Sequence, residues 1–153
     1  MTVQACRCIG MFDNIVIGVD RRQGGRDAIA LGRTLQGRGG RLTLAHVYQG
    51  KGDTALLRRA PTADDESVRE RGLDHLTAVG QRLGLAAALA CVKAPTPARG
   101  LHRLARSSSA DLLVVGSSRR GMIGRLMLGD DTRATLDRPP CAVAVAPAGF
   151  ARR

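Results

Sequence analysis

Aromatic side chains are almost missing from this chain: one Tyr, two Phe and no Trp, together 2% of 153 residues. The core must therefore come from Leu, Val, Ile and Ala, and there are few platforms on which nucleic-acid bases could stack. Long apolar runs are missing too. The longest, Leu85 to Val92, ends at Lys93 and falls far short of the ~20 residues that cross a bilayer. The N-terminus lacks a basic region followed by an apolar one, so no secretory signal is read and a cytoplasmic protein is expected. Cysteine is scarce as well. Cys6-Arg7-Cys8 has half the spacing of a metal site, but no Cys or His pair elsewhere completes it, so neither a metal nor a disulfide is expected. Cys91 and Cys141 read as small buried residues.

Positive charge is abundant. The formal charge is +11, and nearly all the basic residues are arginine. Such a balance permits nucleic acid, anionic membranes or nucleotides as partners. The arginines are scattered along the whole chain and aromatics are lacking, which argues against nucleic acid. The length suits one domain. Residues 1–10 match no periodicity and read as a loose extension, residues 11–148 as the domain, and residues 149–153 as a basic tail.

Along the domain, Ile15 to Val19 is a buried-strand pattern ending at Asp20, and Gln23-Gly24-Gly25 makes a turn. Ala28, Leu31, Gly32 and Leu35 recur on one helical face, and Gly37, Gly39 and Gly40 read as that helix's stop. Arg41 to Tyr48 is a second strand, followed by a connection around Gly50-Lys51-Gly52 and a short packed turn at Leu56 and Leu57. Thr62 with Asp64, Asp65 and Glu66 signals a helix start. Val68, Gly72, Leu76, Val79 and Leu83 form its apolar stripe, His75 adjoins it, and Gly84 closes it. Leu85 to Val92 is expected as the third strand, although its alanines favour helix. A helix starting near Pro95 and Pro97 turns Leu101, Leu104 and Ala105 inward and Arg99, Arg103 and Arg106 outward. Leu112 to Val115 is a strand without alternation, Asp130 to Leu136 a short helix, and Cys141 to Ala146 the last strand.

This alternation predicts an α/β fold: a five-stranded parallel sheet, doubly wound, with helices on both faces and right-handed crossovers. Ligands in such folds bind beyond the carboxyl ends of the strands, which here carry Asp20, Val47 and Gly116. The stretch ADLLVVGSSRRGMIGRLMLGDD, residues 110–131, runs from a strand through glycines to a helix start, a common arrangement for holding phosphate.

The opening NIVIGVD, the strand ending AHVY, then ADLLVVGS and the closing LGDDTRATLDRPPCAVAVAP resemble the universal stress protein family in their order and distances. The resemblance covers Phe12 to Ala146. It implies a Rossmann-like fold of the adenine nucleotide alpha-hydrolase type and a homodimer paired through the last strand. Many members bind ATP through a loop of Gly, two residues, Gly, nine residues, Gly, then Ser or Thr. In those members an Asp ending the first strand and a Val ending the second help hold the nucleoside. Asp20 and Val47 match these positions, and Gly116 and Gly129 match the first and last glycines at full spacing.

Two positions depart from that pattern. Arg119 stands at the second glycine and Asp130 at the Ser or Thr. Arg119 disfavours a positive φ by about 1–2 kcal/mol, while its charge suits a phosphate. Asp130 can only accept hydrogen bonds, and at the helix N-terminus it is expected to cap free N–H groups itself. At ~4 Å and an effective dielectric near 20, one repelling charge pair costs roughly 4 kcal/mol, close to a thousandfold in affinity. The expectation is a nucleotide-type cleft in which ATP, or Mg-ATP, binds weakly or not at all. An ion pair between Arg119 and Asp130 is one way the site could close; a genuine ATP site with Arg119 on the phosphates is the alternative. No catalytic residue is assigned, because neither His46 nor His102 pairs with an acid or hydroxyl. A phosphoacceptor domain is excluded by Asp20 standing alone before Arg21-Arg22.

Overall fold

A computed structural model describes residues 11–20, 24–49, 62–117 and 130–152. In chain order the elements are β1 (Phe12–Gly18), α1 (Gly24–Leu35), β2 (Gln36–Tyr48), α2 (Ala63–Arg82), β3 (Ala88–Lys93), α3 (Pro97–Ser107), β4 (Leu112–Gly116), α4 (Asp130–Leu136) and β5 (Ala142–Ala146), then a 3-10 turn over Phe150–Arg152. The five strands are parallel, in the order β3-β2-β1-β4-β5.

The unalternating runs in β1 and β4 are explained by burial from both sides. Ile15, Ile17, Leu42, Leu44, Leu112 and Val114 point to one face, where Ile29 of α1 and Leu76 of α2 cover them. Val16, Ala45, Leu113 and Val115 point to the other, against Leu101 of α3. Successive side chains thus enter different cores, as the two-residue period of a strand requires.

Polar contacts fix the amino ends of the strands. Asp111 accepts from the N–H groups of Asp13 (2.7 Å) and Asn14 (3.0 Å). Buried Asn14 donates through Nδ2 to the carbonyls of Ser108 and Ser109. Thr62 caps α2 in a reciprocal box with Asp65. Asp65 also meets Lys93 Nζ at 3.0 Å. The Thr62 N–H first, and then Lys93, hold the Asp65 carboxyl below the usual carboxylate range. Thr96 caps α3, with Pro97 in its first turn, so that helix starts after Pro95 rather than at it.

Further boundaries differ from the sequence pattern, most of all around β2 and β3. The first helix stops at Leu35, and β2 begins at Gln36 instead of Arg41. The pairing jumps from Phe12–Gln36 to Asn14–Arg41, leaving a glycine bulge between them. Gly39 has φ +77°, a conformation that costs other residues strain. These glycines shape a bulge rather than end a helix. β3 spans Ala88–Lys93 instead of Leu85 to Val92, because its ladder with β2 begins at Thr43–Ala88 and overrides the helix preference of alanine.

Cys91 and Cys141 carry free thiols, and burial pushes both pKa values up. Among the described residues no helix is long and apolar enough to cross a membrane, and no cluster of three or more His, Cys, Asp or Glu is placed to hold a metal. Cys6, Cys8, the connection at residues 50–52 and the turn at Leu56 and Leu57 lie outside the described residues.

Candidate functional site

The strand order reverses between β1 and β4. From β1 the chain moves through β2 to β3 on one side, while β4 and β5 lie on the other. Such a switch point opens a crevice beyond the carboxyl ends of the two central strands. A cleft of about 140 Å³ lies there, and Asp20, Val47 and Gly116 all line it. The three residues come from separate strand ends, and the parallel register brings them together. Backbone bonds continue the ladders into the cleft: Val19 N–H donates to the Ala45 carbonyl (2.8 Å), and Ser117 N–H to the Ala146 carbonyl (2.9 Å). Asp20 accepts from Gly25 N–H at 3.2 Å near the start of α1.

One wall depends on a glycine. A Cβ on Gly100 of α3 would sit 2.6 and 2.7 Å from the two methyl carbons of Val47. Without one, α3 lies close to β2 and presents Pro97 and Leu101 to the cleft beside Val47. The opposite wall is α4. Buried Thr132 donates through Oγ1 to the Gly116 carbonyl at 3.1 Å, pinning α4 to the end of β4. Thr135, also buried, donates to the Asp131 carbonyl at 2.7 Å. His102 Nε2 donates to the Thr135 carbonyl at 2.8 Å, joining α3 to α4. These contacts use the hydroxyl protons on backbone carbonyls, so toward a ligand both hydroxyls act as acceptors.

Asp130 is the first residue of α4 and is exposed, and it does not line the cleft; its neighbour Asp131 does. Its charge, with that of Asp131, suits the positive N-terminal end of the helix. Arg119 and Gly129 lie outside the described residues, as do Gly121 and Gly124. Asp131, Thr132 and Thr135 were not singled out by sequence reasoning. Their part in the wall arises only when α4 folds back over β4, and nothing local in DDTRATL marks it.

Two carboxylates, Asp20 and Asp131, and no Lys or Arg stand among the described lining residues. His46 faces away from Val47, toward α2, as strand alternation predicts. Its Nδ1 donates to the Val19 carbonyl at 3.1 Å, and its ring stands edge-on to His75 at 6.4 Å. His75 Nε2 is buried with no hydrogen-bond partner among the described residues. Asp20 and Asp131 offer acceptors to hydroxyl and N–H donors on a ligand.

Residues 11–147 match the Universal stress protein family model. A universal stress protein from Thermus aquaticus is 29% identical over 142 residues, covering 87% of this chain and 97% of the relative. Among solved structures, the universal stress protein from Archaeoglobus fulgidus in complex with dAMP superposes with a TM-score of 0.61 at 16% identity, covering 87% of this chain and 96% of that one. A universal stress protein in complex with cAMP gives a TM-score of 0.61 at 20% identity, covering 88% and 97%. With the switch-point cleft, the parallel five-stranded order and a family match over nearly the whole domain, the chain belongs to the universal stress protein family.

Proposed function

We propose that this protein is a regulatory, non-enzymatic stress-response protein whose switch-point cleft takes an adenine nucleoside or monophosphate and holds ATP weakly or not at all. The observation that carries this reading is the lining itself: the carboxylates of Asp20 and Asp131 stand in the cleft beside the apolar wall of Val47, Pro97 and Leu101. Asp20 offers acceptors to ribose hydroxyls, and Val47, Pro97 and Leu101 offer an apolar wall to a base. Each further phosphate adds charge facing carboxylates, at a cost of roughly 4 kcal/mol for a pair at ~4 Å and an effective dielectric near 20. Two relatives described in complex with dAMP and cAMP carry ligands with a single phosphate, which fits this preference.

His46 lines the cleft but its ring bonds the Val19 carbonyl, which supports a reading of binding without turnover. A homodimer through β5 belongs to the same proposal. β5 ends the sheet, bonded only to β4, and its AVAVA sequence is an edge without charge. The test is a titration followed residue by residue in amide NMR spectra. AMP should move the signals of Val47, Gly116 and Thr132 at lower concentration than Mg-ATP does. Micromolar Mg-ATP binding mapped to those residues would overturn the reading and favour Arg119 as a phosphate contact.

A further inference from the structure

The second concavity of the molecule has the opposite chemistry. A groove of about 470 Å³ lies between α1 and α2 and is closed by the C-terminal turn. Arg26 and Arg33 come from α1, Arg82 from the end of α2, and Arg152 from the turn. All four are exposed, and no guanidinium among them makes an ion pair or hydrogen bond with another described residue. Arginine makes up 4 of the 11 described lining residues, whereas Lys and Arg together are 24 of 153 in the whole chain. The groove is thus about twice as basic as the scattered background would make it.

The acid in the groove, Asp27, has a different task. It is buried and accepts from Gly149 N–H at 2.9 Å and Ala151 N–H at 2.8 Å. Its charge is thereby engaged in holding the turn that carries Arg152. The formal balance of the lining is four positive charges less one, or +3. Below the arginines the floor is apolar, with Ala30, Val79 and Leu83.

We propose that this groove binds a multiply phosphorylated organic molecule of nucleotide size. Guanidinium groups match phosphate oxygens two at a time, and several unpaired ones call for several anionic groups. The apolar floor calls for an organic body as well as phosphates. The volume lies within the range of small-ligand pockets, about 300–1,000 Å³. The lining holds no aromatic residue on which a nucleic-acid strand would stack. The front cleft and this groove divide the labour by charge: carboxylates at the strand ends, arginines behind.

The test uses the full-length protein with ATP and inorganic tripolyphosphate as probes, followed in amide spectra so that the two sites are read separately. ATP should move Arg26, Arg33, Arg82 and Arg152 at lower concentration than it moves Val47 or Gly116. Arg33→Glu with Arg82→Glu should weaken ATP at the groove at least tenfold, since each charge-assisted contact is worth about tenfold. The same pair should leave AMP at Val47 unchanged. Asp27→Ala should weaken the groove through a different residue, by releasing the turn. No shift of the groove signals up to about 5 mM of either probe would overturn the proposal. Tripolyphosphate binding as tightly as ATP would overturn the organic body. An oligoglutamate peptide binding more tightly than ATP would replace the small molecule with an acidic protein segment.

Discussion

Gly100→Ala tests whether the cleft wall is built as described. The added Cβ would lie 2.6 and 2.7 Å from Val47 Cγ1 and Cγ2 and 3.1 Å from Ala94 Cβ. Carbon contacts prefer about 3.5–4.0 Å, so the helix must retreat by roughly 1 Å. Val47 cannot turn aside, because a β-branched side chain has little rotamer freedom and both methyls face the glycine. Overpacking of this kind costs about 1–3 kcal/mol, while alanine regains about 1 kcal/mol of helix preference. With two contacts under 3.0 Å the overpacking cost falls in the upper part of that range, about 2–3 kcal/mol, so the expected net loss is about 1–2 kcal/mol, or roughly 2–8 °C in Tm for a chain of this size. Urea unfolding reads the stability, and a double-mutant cycle with Val47→Ala reads the contact. The double variant should recover most of the loss, since removing both methyls frees the space. A Gly100→Ala protein as stable as the parent, or one not rescued by Val47→Ala, would refute the packing argument.

Asp27→Ala removes a buried acceptor shared by Gly149 and Ala151, with an expected loss of about 2–3 kcal/mol, and limited proteolysis should then clip the C-terminus sooner than in the parent. The Asp65 carboxyl has its pKa lowered by folding, so its stabilising effect is present above the unfolded value near pH ~4 and is lost as pH falls through the lower folded value. Urea midpoints of the parent and of Asp65→Asn should therefore differ at pH ~7 and converge in acid. Sedimentation should show a dimer that a lysine at Val145 of β5 reduces to monomer; monomer at every concentration in the parent would remove the β5 proposal. Arg119→Gly with Asp130→Ser should raise ATP affinity at the front cleft, and an unchanged affinity would place the obstacle elsewhere.

The fold was legible because the buried strands announce themselves. Ile15 to Val19 and Leu112 to Val115 are apolar on both faces, and only a sheet covered on both sides uses such a pattern. Gly37, Gly39 and Gly40 misled, since a glycine stop and a glycine bulge share one local signature and differ only in pairing with β1. That Asp20, Val47 and Gly116 line one cleft could be read, because parallel topology puts strand ends on one edge. Thr132 and Thr135 could not, because the Thr132 hydroxyl meets the Gly116 carbonyl, and the Thr135 carbonyl meets His102, only once α4 lies against β4 and α3. Asp27 was beyond reach for the same reason: its partners lie 122 and 124 residues away.

The most direct measurement of the central claim is the amide-resolved titration of the unaltered protein with AMP and then Mg-ATP, observed at Val47, Gly116 and Thr132. AMP should bind at these residues more tightly than Mg-ATP, whose Kd there should be about 1 mM or weaker. Mg-ATP binding at the same residues with a Kd of about 10 µM or below would contradict it.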